Sequence, residues 1–434
     1  MVNFRLARRI FLISTTIALV WMGLSLWIDI PWIHSIADHI SFPLAYLAVL
    51  GIAVIPGFMF IFLLLTIILD RTKENFTPTD YPNISILIAA YNEEDFIETT
   101  VRKIFNCDYP GLREVIVVND GSSDKTKEIL ENISLKYKDQ IKVINQDENR
   151  GKSAALNHGL LKASYDYIIT VDADTWLHPH ALKEIIKPFS HDEKVGAVAG
   201  SIHVNNPKAS WVTKLQLWDY FISIASVKRQ QSVYRGTLVA QGAFSAYLKD
   251  AIIEAGGWTN AVGEDIVLTW GMLKNNYLVG YASKALAFTH VPTTLKGFYK
   301  QRKRWARGLI EAFRAHPNIL LKYRGLSKLN IFLNLFFPFI DLAIIFVLFP
   351  GIFLAVVFQN FLIVGPLTLL VLPLALLLTI VTYRYQRQIL NKHHIPFNKN
   401  LTWFILFLIA FPIIHAPICI SGYISERFSL KKKW

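Results

Sequence analysis

The chain has 434 residues, 53% of them hydrophobic, a net charge of +13 and two cysteines, Cys107 and Cys419. Its mean hydropathy of +0.35 is high for a soluble protein, and two cysteines in segments of different character exclude a disulfide framework and a cysteine-rich metal site. The basic excess largely flanks apolar runs, so it is read as membrane orientation, with a few charges left over for an anionic ligand.

The apolar residues gather at the two ends. The uncharged runs 10–28 and 43–69 are each long enough to span a hydrocarbon core of roughly 30 Å. A cleaved leader is the alternative for the first, but the run is long for that role and a second span follows it. Arg5, Arg8 and Arg9 precede the first run, and Arg71 and Lys73 follow the second. Both flanks are therefore expected on the cytoplasmic side, with 29–41 as a short exterior loop.

From residue 75 to about 324 the composition is that of a globular domain. Strands are expected at 84–90, 114–118, 141–144 and 167–171, and helices at 94–105, 124–135 and 150–162. This alternation predicts a mainly parallel sheet covered on both faces, with ligands at the carboxyl ends of its strands. Polar clusters follow those ends. Tyr91-Asn92-Glu93-Glu94 offers a ring and a carboxylate for a nucleobase and sugar, or a helix start. In Asn119-Asp120-Gly121-Ser122-Ser123-Asp124 the first acid suits a base or ribose, while Ser122 or Ser123 suits a helix cap. Asn149-Arg150-Gly151-Lys152 puts a lysine beside glycine at a helix start, which suits an anion or a solvated turn. Asp172-Ala173-Asp174 sets two carboxylates where both can face Mg2+ or Mn2+, although the pattern by itself is also that of a surface turn.

Further on, 211–235 mixes aromatic, cationic and aliphatic residues, as an amphipathic helix at a membrane surface does; a buried helix is the competing reading. Gly263-Glu264-Asp265 opens a helix over 266–274. Its acids serve either the helix dipole or as a general base. Gln301-Arg302-Lys303-Arg304-Trp305 reads as an interfacial anchor or as a diphosphate clamp beside an apolar platform for a sugar ring. The C-terminal third holds apolar runs at 329–358, 361–381 and 401–423. Arg384, Arg387, Lys392, His393 and His394 form an expected inside loop. Five spans would leave the C-terminus outside, against the basic tail Lys431-Lys432-Lys433. Asp341 and His415 fall within spans, where they either line a polar path or bond between helices.

The order of these motifs, with Gln241-Gly242-Ala243-Phe244-Ser245 between the Asp-x-Asp and Gly-Glu-Asp elements, resembles processive family 2 glycosyltransferases: poly-N-acetylglucosamine, chitin-oligosaccharide, hyaluronan and cellulose synthases. The resemblance covers about residues 80–310 and the flanking spans. It is nearest to bacterial poly-β-1,6-N-acetylglucosamine synthases, as Val291-Pro292-Thr293-Thr294-Leu295 before Gln301 suggests. It implies an α/β fold of GT-A type: a nucleotide-sugar-binding mixed sheet, helices on both faces, flanked by transmembrane α-helices. The implied domains are 1–74 with two spans, 75–324 cytoplasmic and catalytic, and 325–434 with about three spans.

Carried over by position, Ala90, Tyr91, Glu93, Asp120 and Lys152 serve the donor, with Asp172, Gln301 and Arg304. Asp174, with Asp172, holds Mg2+ or Mn2+; Gln241, Gly242 and Trp305 face the acceptor; Asp265 is the base. The implied reaction is inverting, processive transfer of a sugar, N-acetylglucosamine on the nearest resemblance, from a UDP-sugar to a growing polysaccharide, coupled to export across the plasma membrane; the alternative is a hyaluronan-, chitin- or cellulose-like synthase, or non-processive transfer to a lipid acceptor. The implied partners are that donor, that acceptor and the bilayer, without nucleic acid, and room is left for a small membrane partner subunit. Two positions depart from the nearest relatives: Gly263 stands in place of a usual threonine and Arg307 in place of a usual glutamine.

Overall fold

The structure, a computed structural model, describes residues 3–70, 80–364, 371–395 and 400–430. Arg71, Lys73 and the Lys431–Lys433 tail lie outside the described residues, as does part of the expected 361–381 span.

Among the described residues, eight strands form one sheet: β1 Ile84–Ala90, β2 Arg113–Asp120, β3 Ile141–Gln146, β4 Tyr167–Val171, β5 Thr175–Leu177, β6 Val195–Val204, β7 Phe244–Leu248 and β8 Leu278–Thr289. Their order is β3-β2-β1-β4-β7-β6-β8-β5. The first four run parallel, as the strand–helix alternation predicts. The antiparallel strand β7 then joins β4 to β6, which makes the sheet mixed. The strands β5 to β8 had no counterpart in the expected strand pattern, because their sequences lack its regular alternation with helices.

The run of β1, Ile84 to Ala90, is apolar without interruption because both its faces are covered. Ile86 and Ile88 pack with Val115, Val117, Ile97, Val101 and Ile104 on one face. Leu87, Ile116 and Val118 pack with Leu156, Leu160 and Trp270 on the other. The strand order changes direction at β1, whose neighbours are β2 and β4, so a crevice opens at their carboxyl ends. The Tyr91, Asp120 and Asp172 motifs all reach that edge.

Among the described residues, four helices are long and apolar enough to cross a membrane: Phe4–Ala37, Phe42–Leu69, Lys328–Phe358 and Leu401–Arg427. The first continues through Pro31, so most of the expected exterior loop 29–41 is helical. Residues 361–364 are not helical, and Arg384, Arg387 and Lys392, expected in a loop, lie on the helix Val371–Lys392. Just past that helix, the ring of His393 lies 5.2 Å from that of His178 in the sheet domain. The helix Leu401–Arg427 meets the domain at both ends. Trp403 lies under the Lys214 ammonium at 4.9 Å. Near the other end, Glu426 accepts from Arg307 and Arg314.

Residues 211–233 are helical, with a wider π turn at Asp219–Ile224. Val212, Leu215, Trp218 and Phe221 pack on Phe407, Phe411 and Ile389. The segment is thus largely buried between domain and C-terminal helices, in place of an amphipathic helix with one free face.

Arg307, one of the two departures from the resembling family, is accounted for by Glu426, whose Oε2 lies 3.0 Å from its guanidinium with both side chains 7% exposed. Removing one member of a buried pair strands the other. Glu426→Ala should therefore lower stability by about 3 kcal/mol, while Arg314→Ala, at the half-exposed second partner, should cost under about 1 kcal/mol; thermal unfolding in detergent measures both.

Candidate active site

The loops after β1 and β2 are stitched together. Ser122 and Ser123 do not cap the following helix, Thr126–Tyr137. The Asn92 backbone N–H donates to Ser122 Oγ, and Asn92 Oδ1 accepts from the Ser123 N–H. The N–H groups of Glu93 and Glu94 donate to Thr126 Oγ1 and Asp124 Oδ2. Gly121 makes this possible: its φ is +70°, and a Cβ there would lie 2.6 Å from the Glu148 carbonyl carbon. Asp120 is buried, and its two oxygens accept the N–H groups of Arg150 and Gly151 at 2.8 Å. The anion at this turn is therefore the chain's own carboxylate.

Asp120 thereby sets where Lys152 begins its helix, Lys152–Lys162. The Lys152 ammonium pairs with Asp172 Oδ1 and lies 3.8 Å from Glu264 Oε1. Burial disfavours its charge, but Asp172 and Glu264 hold it above the ordinary lysine range. Gly242 leaves room for it, since a Cβ there would sit 2.8 Å from Nζ. Around it the acids crowd. Burial, then the Asp172 charge, pushes Asp174 up to about 6. Burial, then Asp174 and Asp172, pushes Glu93 up to about 8. Burial raises Glu264 to about 7, against the pull of Lys152.

Across the cleft, Asp265 lies in the first turn of the helix Glu264–Lys274. Gly263 ahead of it explains the second departure: a Cβ there would lie 2.5 Å from the Gly308 Cα, so a threonine does not fit against this helix. The helix Leu295–Ala315 carries Gln301, Arg304 and Trp305 into the same cleft. Arg302, on the same helix, turns inward. It pairs with Asp219 at 2.7 Å, and its guanidinium sits 4.1 Å from the Trp305 ring centre. This charge contact under the indole fixes the ring's position.

One cleft of about 360 Å3 is lined by Lys152, Asp172, Asp174, Gln241, Gly242 and Asp265, together with Gln301, Arg304 and Trp305. Ala90, Tyr91 and Asp120 do not line it; they lie at the sheet edge beyond, with Glu93 close enough to feel both Asp172 and Asp174. The Gln241 amide is committed internally: its Nε2 donates to the carbonyls of Gly200 and Phe244, and Oε1 accepts from Lys228. Gln301 Oε1 is buried without a hydrogen-bond partner among the described residues. Lys228, Tyr220 and His290 also line the cleft, unflagged by any motif; the first two lie in the 211–235 stretch read as a surface or a buried helix. Asp341, read as a path-lining or bonding residue, accepts from the Tyr423 hydroxyl at 2.9 Å, an interhelical bond. His415 stacks on Phe411 and lies 3.5 Å from Cys419 Sγ.

Among the described residues no three His, Cys, Asp or Glu side chains form a complete cation cage. Asp172 and Asp174 fit a Mg2+- or Mn2+-type ion only as a partial set, the kind completed by a ligand's phosphate oxygens and water. A proton and a cation compete for the raised Asp174 carboxyl, which is neutral below its pKa and anionic above it. Affinity for Mn2+ in the presence of a nucleoside diphosphate should therefore rise several-fold from pH 5.5 to 7.5; electron spin resonance of free Mn2+ measures it, and a flat profile contradicts the raised value.

Residues 85–256 match the family described as "Glycosyl transferase family 2". The chain is 37% identical over 237 residues to the poly-β-1,6-N-acetyl-D-glucosamine synthase of Staphylococcus aureus strain MSSA476, covering 54% of this chain and 57% of that one. It is 37% identical over 226 residues to the synthase of the same name from Staphylococcus epidermidis, with 52% and 54% covered. The matched region thus spans a little over half the length of these curated relatives. A mannosyltransferase from Pyrobaculum calidifontis, solved in complex with GDP-Man and Mn2+, superposes with a TM-score of 0.62 at 18% identity, covering 87% of this chain and 96% of that one. The sheet, the acid-lined edge and these matches agree: residues 85–256 match a family 2 glycosyl transferase domain, set in a GT-A fold between apolar helices.

Proposed function

We propose that this chain is an inverting glycosyltransferase that adds a sugar, N-acetylglucosamine, from UDP-N-acetylglucosamine to a growing polysaccharide. The observation that carries this reading is one cleft joining Asp265, Arg304, Trp305 and the Asp172–Asp174 pair. Asp265 removes the proton from an acceptor hydroxyl, whose oxygen attacks C1 of the donor sugar as the C1–O bond to the diphosphate breaks and UDP leaves. Arg304 and Lys152 face the charge that develops on the diphosphate. Gln301 offers its unpaired oxygen to a ligand donor. Trp305, braced by Arg302, offers a flat apolar face to the acceptor ring. Ala90, Tyr91, Glu93 and Asp120 form the edge for the uridine, and Gly242 and Gln241 shape the acceptor side. A divalent cation held by Asp172 and Asp174 supplies further charge neutralisation at the leaving group.

The reading extends to processive synthesis and export at the plasma membrane, with the catalytic domain, about residues 75–324, on the cytoplasmic side. Here we place crossings at 4–37, 42–69 and 328–358, and a return crossing that ends in the helix Val371–Lys392, whose Arg384, Arg387 and Lys392 then lie at its cytoplasmic end. The contacts of Leu401–Arg427 with the domain at both its ends favour a helix lying along the membrane surface. Four crossings return the C-terminus to the cytoplasm, which suits its lysines.

Membranes incubated with labelled UDP-sugars should yield a sized polymer from UDP-N-acetylglucosamine. Asp265→Asn should cut transfer by about 10²-fold or more with UDP binding kept; near-normal polymer from that variant sinks the assignment. A cysteine at exposed Ser429, beside buried native cysteines, should react with an impermeant maleimide only in opened cells; labelling of intact cells overturns the four-crossing arrangement.

A further inference from the structure

Lys228 takes no part in the transfer step described for Asp265 and Arg304, yet its side chain lines the same cleft. It lies four residues beyond the wide turn Asp219–Ile224. Such a turn inserts one residue into the helix and re-aims the side chains after it, and such insertions are common at functional sites. Tyr220, Ile224, Ala225 and Lys228 all face the cleft as a result. Asp219 at the start of the turn is held by Arg302, so the element that braces Trp305 also sets the height of Lys228.

The Lys228 ammonium donates to the Val239 carbonyl at 2.6 Å and to Gln241 Oε1. Among the described residues no carboxylate forms an ion pair with it. An ammonium has three donors, and two are used. Burial lowers the group to about 7, with the Asp265 charge opposing. A buried cation without an ion-pair partner is costly, and an additional oxygen acceptor relieves that cost. Because both hydrogens of the Gln241 amide are taken by backbone carbonyls, Gln241 has no donor left to offer and Lys228 is the donor presented from that wall.

We propose that Lys228 is a specificity residue for the acceptor: its third N–H is given to a neutral oxygen, a hydroxyl or an amide carbonyl, on the acceptor sugar beside Asp265. Where it is protonated, below about pH 7, the same group repels an acceptor carrying a protonated amine at that point. This rests on the transferase reading above. It deepens that reading by naming the acceptor as a neutral, N-acylated or hydroxylated sugar, selected at the step of binding.

The test uses the full chain in detergent, UDP-N-acetylglucosamine as donor, and two acceptors, a β-1,6-linked N-acetylglucosamine oligosaccharide and its de-N-acetylated form. Lys228→Met should raise the KM for the acetylated acceptor about tenfold or more. Donor KM and acceptor-independent donor hydrolysis should stay within about twofold. The preference for the acetylated acceptor should narrow, and Lys228→Arg should recover much of the KM. An unchanged acceptor KM and preference in Lys228→Met overturns the proposal, and so does an equal rise in both KM values. Acceptor binding without donor, followed by tryptophan fluorescence, gives a second reading independent of turnover. Tenfold weaker binding by Lys228→Met sustains the proposal; equal binding, or none by either protein, overturns it. Failure of the transferase reading has a separate signature: the unsubstituted chain neither transfers nor hydrolyses any UDP-sugar.

Discussion

One ammonium among carboxylates holds the cleft in shape. Lys152 pairs with Asp172 and faces Glu264, so it joins the carboxyl end of β4 to the helix that opens with Asp265. Acids gathered at strand ends repel one another and lose hydration as they are buried, and a single fixed cation between them is what lets the two sides approach. Its own position is set at one remove, by Asp120 gripping the Arg150 and Gly151 N–H groups. The absence of a side chain at Gly242 leaves the space it occupies. Three separate stretches of sequence thus meet on one nitrogen atom.

The same logic ties the domain to the apolar helices. Arg302 and Arg307 sit on the helix that carries Arg304 and Trp305, but they point away from the cleft, toward Asp219 and Glu426. Each is a buried charge satisfied across an element boundary. Where charges do not join the parts, small residues do: a side chain at Gly422 would meet Ala306 at 2.7 Å, and one at Gly263 would meet Gly308 at 2.5 Å. The helix that carries Arg304 and Trp305 is therefore packed between the start of the helix Glu264–Lys274 and the helix Leu401–Arg427.

Two departures from the resembling family, Gly263 and Arg307, have local causes. Gly308 excludes a bulkier residue at 263, and Glu426 calls for a cation at 307. Both are exchanges of packing and charge behind the cleft wall. They leave the residues that line the cleft in place.

The parallel half of the sheet, the apolar ends and the roster of chemical groups were legible before any folding was considered. Continuous apolar strands, uncharged runs and short polar motifs are local patterns, and local patterns survive in one dimension. Thus β1 and β4 were legible to the residue, and nine of the expected site residues share one cleft. The remainder depended on folding. Strands β5 to β8 pair across long separations and lack the alternation that marks a βα repeat. Whether Ser122 capped a helix or held Asn92 depended on a neighbour 30 residues away. The inward turn of Arg302, the commitment of Gln241 and the exposure of Lys228 to the cleft come from partners that only folding brings near, because a side chain's role is fixed by what it touches and by how much water is left around it.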